Sequence, residues 1–349
     1  MKLSRKKKNF LIILLLVLLC GGGLVFYYVQ SLFLSPLNKN LTEKTYLYID
    51  TDDTLDSVQV KIVSVFDLDK PSFGFNTIAD VKDYKSRIRT GKYEVSASET
   101  PYSLFLKLSR GYQIPTRLVI NNIRTLDQLA GKLGDQLMLD SLELNLFFQA
   151  DAELEKLGYN RETLPALFIP NTYEVYWDMD MEGFITRMIT EHKRFWTDER
   201  LKKAEEIGLT PIEVATLASI VEEETNSAEE KPMVAGLYMN RLTRGIPLQA
   251  DPTIKFALND FAMKRILNED LKVESPYNTY LNTGLPPGPI RLASIPGLES
   301  VLNYAQHNYI YMCAKEDFSG KHNFATNLND HMANARRYWS ALNKLKIYK

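Results

Sequence analysis

Cysteine is nearly absent: Cys20 and Cys313 are the only two in 349 residues. Cys20 lies inside a long apolar run and Cys313 far downstream, so membrane burial of the first excludes an intramolecular disulfide. Whatever is exported must be held by its cores. Charge of one sign is also lacking, with a net of −1. Five cations (Lys2, Arg5, Lys6, Lys7, Lys8) crowd the first eight residues, and removing them from the 42 basic residues leaves 37 against 43 acidic ones, a net of −6. No nucleic-acid surface is suggested. G-x-G-x-x-G, P-loop and solenoid-length repeats are missing too, so nucleotide chemistry and a repeat architecture have no support.

What is present starts with Phe10 to Val29, a run without a charge that is long enough to cross a bilayer. The basic flank predicts a cytoplasmic tail over 1–9, a transmembrane helix over 10–29, and the rest of the chain on the far side of an inner (cytoplasmic) membrane. Cleavage as a signal peptide is the competing reading. Gly21-Gly22-Gly23 is followed by Leu24-Val-Phe-Tyr-Tyr-Val29 with no small-x-small site, which favours a retained anchor. Leu19 is bulky where a lipoprotein site before Cys20 would need a small residue. Roughly 320 residues remain, enough for two modest domains.

Lys44 to Ser96 is rich in β-formers, with alternation in Thr45-Tyr-Leu-Tyr-Ile49 and a turn-like Thr90-Gly-Lys-Tyr-Glu-Val95, and reads as a small α+β unit. A helical pattern over Tyr102–Leu108 is ended by Gly111, Arg117–Ile120 is a short strand, and Thr125–Leu133 is amphipathic. Strands and helices mix without βαβ alternation, so the class is α+β.

The chemistry concentrates in Leu217-Ala-Ser-Ile-Val-Glu-Glu-Glu-Thr225. Thr210-Pro211-Ile212-Glu213 combines an N-cap threonine, proline at the first helical position and a capping-box glutamate, which predicts a helix from Pro211. At 100° per residue Val214, Leu217, Ile220 and Val221 share a stripe, and Glu224 falls within roughly 30° of its centre. Glu222 lies at the stripe's edge beside Ala215 and Ala218, and Glu223 points the opposite way, toward solvent. A carboxyl against apolar neighbours at a helix C-terminus has a raised pKa and suits a general acid. An ordinary solvated acidic helix end fits the same spacing. Ser227-Ala-Glu-Glu230 reads as the capping box of a second helix carrying Met233, Val234, Leu237 and Tyr238.

Downstream, Asp251-Pro252-Thr253 is suited to starting a helix with Ile254 and Phe256, Asp251 serving as N-cap or as a functional carboxylate. Ser275-Pro-Tyr-Asn-Thr-Tyr280 and Thr283-Gly-Leu-Pro-Pro-Gly-Pro-Ile290 follow. Prolines lower the entropy cost of a fixed loop, and Tyr, Asn and Gln offer the flat faces and amide bonds that sugars need. Core packing of Tyr277 and Tyr280 is the structural alternative. His322 and His331 could pair on a metal, but without H-E-x-x-H spacing or a cysteine partner they are better read as fixing loop hydrogen bonds. No metal is expected.

Together these segments resemble the endolytic murein transglycosylase (YceG-like) family. The likeness rests on Ala218–Thr225, Asn240-Arg241-Leu242, Leu248–Thr253, Tyr277–Tyr280, Gly284–Ile290 and Phe324–His331. Upstream, Thr90–Tyr93 resembles the turn closing a LysM-like subdomain, and Phe168–Tyr173 the start of the catalytic region. The resemblance implies a LysM-like subdomain over 40–112 and a larger mixed α/β catalytic domain over 113–349. Family members commonly read E-K-E where this chain has Glu222-Glu223-Glu224, and the second glutamate of that pattern, here Glu224, carries catalysis; Glu222 is the fallback if the helix is rotated. Ala250 stands where serine or threonine is common. The resemblance further implies cleavage of the MurNAc–GlcNAc bond to 1,6-anhydro ends, with Gln249, Asp251, Tyr277, Asn278 and Tyr280 as glycan-holding candidates. No cofactor is called for. Expected partners are peptidoglycan strands, the membrane and peptidoglycan synthases. Two other readings stay open: a non-catalytic peptidoglycan-binding scaffold, and a two-carboxylate hydrolase using Glu224 with Asp251.

Overall fold

The computed structural model describes residues 5–39, 41 and 44–344. Lys2 and the outer ends of the expected 40–112 and 113–349 stretches lie outside the described residues. The protein is a mixed helix and sheet structure. Its first helix, α1 (Arg5–Val29), is apolar along most of its length and passes through a short π-helical turn over Gln30–Leu34. The stretch Lys7–Leu34 is long and apolar enough to cross a membrane, and none of it is buried against the protein.

The chain divides into two compact units, the first running to Arg117 and taking in Glu174–Met179, the second holding Leu118–Tyr173 and everything from Asp180. In the first, β1 (Thr45–Ile49) is followed by α2 (Leu55–Val65), α3 (Phe73–Val81), β2 (Gly91–Val95) and α4 (Pro101–Arg110). β1 and β2 pair antiparallel, from Thr45 opposite Val95 to Ile49 opposite Gly91. The Thr90–Val95 segment is therefore strand beyond its first residue, where a turn was expected. Alternation explains the core: Leu47, Ile49, Tyr93 and Val95 point inward onto Val58, Ile62, Phe66 and Leu104, all buried. A fully buried leucine or isoleucine of this kind contributes about 1.5–3 kcal/mol. α4 starts at a Thr100–Ser103 capping box with Pro101 in its first turn and stops at Gly111, whose φ of 69° glycine reaches without Cβ strain. Asp178 returns to this unit, accepting hydrogen bonds from Thr90 Oγ1 (2.7 Å) and Gln113 Nε2 (3.3 Å).

The second unit begins within β3 (Thr116–Ile120) and continues through α5 (Leu126–Gly134), α6 (Ser141–Phe147), α7 (Asp151–Lys156), β4 (Asn171–Val175), α8 (Met181–Phe195), α9 (Asp198–Glu206), α10 (Pro211–Glu224), α11 (Lys231–Thr243), α12 (Asp251–Ala257), α13 (Ile295–Leu302), β5 (Tyr311–Ala314), β6 (His322–Ala325) and α14 (Leu328–Lys344). β3 pairs with β4 and β5 with β6. α10 is its central element, packed by α9, α11, α12 and α13. The expected stripe is buried, and so are Ala215, Thr216, Ala218 and Ser219 on the other face. Small residues there let neighbours come close: Ser219 Oγ accepts the Ile290 N–H (3.0 Å), drawing the proline-rich 284–290 loop onto the helix. At the far side of that loop, a Cβ on Gly288 would stand 2.0 Å from the Glu162 carbonyl, so only glycine fits.

Candidate active site

α10 delivers its three terminal glutamates to three different places. Its start is the one the sequence predicts: Thr210 and Glu213 form the capping box and Pro211 opens the first turn. Its end is Glu224. Glu222 Oε2 accepts the Ser294 N–H (2.8 Å), with Lys231 Nζ 3.7 Å from Oε1, which ties it to the start of α13. Glu223 does not face water. Arg291 Nη1 bonds its Oε1 at 2.6 Å, and Arg124 donates from Nε (3.2 Å) and Nη2 (3.0 Å). Two arginines distant in sequence capture a carboxylate that helical phase alone assigns to solvent.

Glu224 opens onto a cavity of about 480 Å³ formed by the end of α10, α11, the turn into α12, β5, β6 and α14. The Tyr238 hydroxyl donates to its Oε1 at 2.9 Å, and Oε2 has no hydrogen bond among the described residues. Burial pushes the Glu224 carboxyl up to about 7. The Tyr238 hydrogen bond works against that rise, the charge of Asp251 adds to it, His322 opposes it, and Glu223 adds a little more. Glu224 in turn drives the Tyr238 phenol above its ordinary value, after burial as the larger cause. At neutral pH the site therefore holds a carboxyl poised between its two protonation states, as general acid–base catalysis needs.

Three of the other candidates meet Glu224 in this cavity. Gln249, at φ 50° in the left-handed region, is held by its N–H on the Thr279 carbonyl (3.0 Å) and turns the chain into α12. Asp251 stands at the head of that helix without capping it, because its Oδ1 accepts the Tyr280 hydroxyl at 2.5 Å. The structure does not bring Tyr277 and Asn278 there. Asn278 is fully buried, its Nδ2 donating to the Leu271 (2.9 Å) and Val273 (2.8 Å) carbonyls and its Oδ1 accepting the Tyr280 N–H. It shapes the loop that presents Tyr280. Tyr277 packs on Phe256, ring centroids 4.6 Å apart, beside a separate cavity.

The residues that sequence reasoning passed over are on α11. Tyr238 and Arg241, one turn apart, both line the cavity. Arg241 is buried and donates to the backbone carbonyls of Ile310 through Nε (2.7 Å) and of Pro247 (3.1 Å) and Leu248 (2.8 Å) through Nη1, which also reaches Gln249 Oε1 (3.3 Å). It clamps the loop carrying Gln249 against Ile310, the residue that leads into β5. The i, i+3 pairing of a tyrosine and an arginine inside an apolar helix was the available signal. α11 starts at Lys231 and not at Ser227. Glu230, the supposed capping partner, is taken by Thr225 Oγ1 (2.9 Å) and by the backbone N–H (2.7 Å) and Nδ1 (2.9 Å) of His322. His322 thus does fix a loop. His331 stacks on Tyr311 at 5.1 Å, and among the described residues no three His, Cys, Asp or Glu converge as a metal site.

A carboxyl raised to about 7 and a second carboxylate line one cavity together with Tyr238, Tyr280 and Tyr311, an arrangement of the kind that acid–base chemistry uses. The YceG-like family matches residues 47–337, and the chain belongs to that family. It is similar to an endolytic murein transglycosylase of Bacillus subtilis (strain 168), 27% identical over 256 residues, covering 72% of this chain and 69% of the relative. It is also similar to the endolytic murein transglycosylase of Streptococcus pneumoniae serotype 2, 29% identical over 299 residues, covering 76% of this chain. This chain spans only 53% of the pneumococcal relative's length. Among solved structures, a yceG-like protein from Listeria monocytogenes aligns with a TM-score of 0.56 and 25% identity over 83% of this chain and 98% of that one.

Proposed function

We propose that the chain is an endolytic lytic transglycosylase that cuts the MurNAc–GlcNAc bond of nascent peptidoglycan with Glu224 as its single acid and base. The observation that carries this reading is the Glu224 carboxyl, raised to about 7 on the wall of an open cavity. Tyr238 occupies Oε1, so Oε2 is left to deliver the proton to the glycosidic oxygen. The C1–O bond then breaks with positive charge growing at C1, and Asp251 lies in the same cavity, its carboxylate held by Tyr280. Glu224, now ionised, takes the proton of the muramyl C6 hydroxyl as O6 bonds to C1. The product is a 1,6-anhydro end, the proton has returned to Glu224 and no water is consumed. Gln249, held at Arg241 Nη1 (3.3 Å), offers its amide to the sugar.

α1 supports a single-pass anchor that holds the rest of the chain outside the cytoplasmic membrane, within reach of newly made strands and of the synthases that make them. The β1–β2 pair with its covering helices supports reading 40–112 as the LysM-like subdomain, with 113–349 as the catalytic region. A second reading has one specific observation in its favour: Asp251 in the same cavity could activate water, giving hydrolysis. Mass analysis of uncrosslinked glycan digested by the protein separates the two. Products one water lighter than reducing sugars support the transglycosylase, reducing ends support the hydrolase, and no cleavage, or full cleavage by Glu224→Gln, defeats both.

A further inference from the structure

The second unit holds another cavity, of about 320 Å³, lined by Arg124, Asp127, Arg161, Glu162, Phe256 and Tyr277 among others. Three segments tie it to the Glu224 cavity. Glu223 binds Arg124 while its neighbour Glu224 faces the reaction site. Asp251 and Phe256 stand on one helix, five residues or about 7.5 Å apart along its axis. Tyr280 and Tyr277 are on one turn, three residues apart. The two cavities are thus lined by near neighbours on the same short segments.

The linings differ in character. Phe256 and Tyr277 give an aromatic wall of two rings tilted 47° to each other, and Arg124 lies over the Phe261 ring at 5.3 Å. Around it stand charges of both signs. Arg161, Asp127 and Glu162 are exposed and, among the described residues, form no ion pair. Uncharged sugar rings have no use for such a rim. A short peptide bearing carboxylates and an amine matches it, because each exposed charge then meets an opposite one at low desolvation cost.

We propose that this cavity seats the charged stem peptide that a muramyl residue carries on its lactyl ether, so that the enzyme reads the peptide while Glu224 works on the glycan. The proposal rests on the transglycosylase reading, since the peptide belongs to that substrate. Arg161 binds a peptide carboxylate, Asp127 and Glu162 face the side-chain amine, and the peptide's apolar parts lie on Phe256 and Tyr277. These are positioning contacts and move no proton.

The test uses the full chain in detergent, with Glu224→Gln for binding and the unaltered protein for turnover. Titration with a muramyl pentapeptide, against the same sugar without peptide, should show about three- to tenfold tighter binding of the peptide form. Arg161→Ala should abolish that advantage and Arg161→Lys should retain part of it. In turnover, strands stripped of peptide by an amidase should show a KM higher by a similar factor, with Arg161→Ala raising KM only on peptide-bearing strands. Equal binding of both sugars, or an advantage indifferent to Arg161→Ala, overturns the proposal. So does a loss on Phe256→Ala that is the same for stripped and peptide-bearing strands, which would assign the cavity to sugar rings. Cleavage without peptide preference defeats the peptide site and leaves the enzyme. Peptide-dependent binding without any cleavage supports the site and defeats the enzymatic reading.

Discussion

Replacing Glu224 by glutamine should stabilise the protein, by an amount that grows as pH rises above about 4.5. The carboxyl has a folded-state pKa of about 7 against an ordinary 4.5, chiefly because burial disfavours its ionised form. A raised carboxyl pKa means that the folded state binds the proton more tightly than the unfolded state. The penalty is therefore absent below about pH 4.5, grows as pH rises, and is complete above about pH 7. At ~1.4 kcal/mol per pH unit the rise amounts to about 3 kcal/mol. Glutamine keeps the shape and an oxygen for the Tyr238 hydroxyl but carries no charge to bury. Urea unfolding of both proteins at pH 5 and pH 8, compared through midpoint and slope, should show a small difference at pH 5. At pH 8 the variant should be the more stable by up to about 3 kcal/mol. A difference that is equal at the two pH values, or that favours the parent protein at pH 8, would refute the claim that burial disfavours the ionised Glu224 carboxylate.

Two further outcomes follow from the same geometry. Tyr238→Phe removes the one hydrogen bond that favours ionised Glu224, so the alkaline limb of kcat/KM should move up from about pH 7. At about 1.5 kcal/mol for such a bond the move is about one pH unit, and an unmoved or lowered limb in a pH–rate profile would contradict it. Glu223→Gln leaves Arg124 and Arg291 without their shared carboxylate and should cost about 2–3 kcal/mol. A thermal unfolding shift of only a fraction of a degree would return Glu223 to the solvated role its helical phase suggests.

The parts of the site that the sequence made legible are those fixed by neighbours within one turn. Thr210, Pro211 and Glu213 set where α10 begins, and from that start every later residue has a known phase, so Glu224 could be separated from Glu222 and Glu223. The same local logic succeeded for α4, whose end at Gly111 was legible. It failed at Ser227, where the motif of a capping box was present but its glutamate had a stronger partner in His322, 92 residues away. It failed again at Asn278, whose amide faces its own loop and not the cavity.

The sequence by itself determined the start of the central helix, the apolar first helix and the helical phase that sets Glu224 on the buried stripe. These depend on hydrogen bonds and periodicities spanning a few residues, which any window of the chain contains. Tertiary structure alone decided that Glu223 is neutralised by Arg124 and Arg291, that Tyr238 and Arg241 line the cavity, and that Tyr277 lines a second one. Those outcomes depend on which distant charge or ring arrives first at a given face. That is settled by packing around α10, where burial makes an unpartnered polar group costly enough to choose among the alternatives.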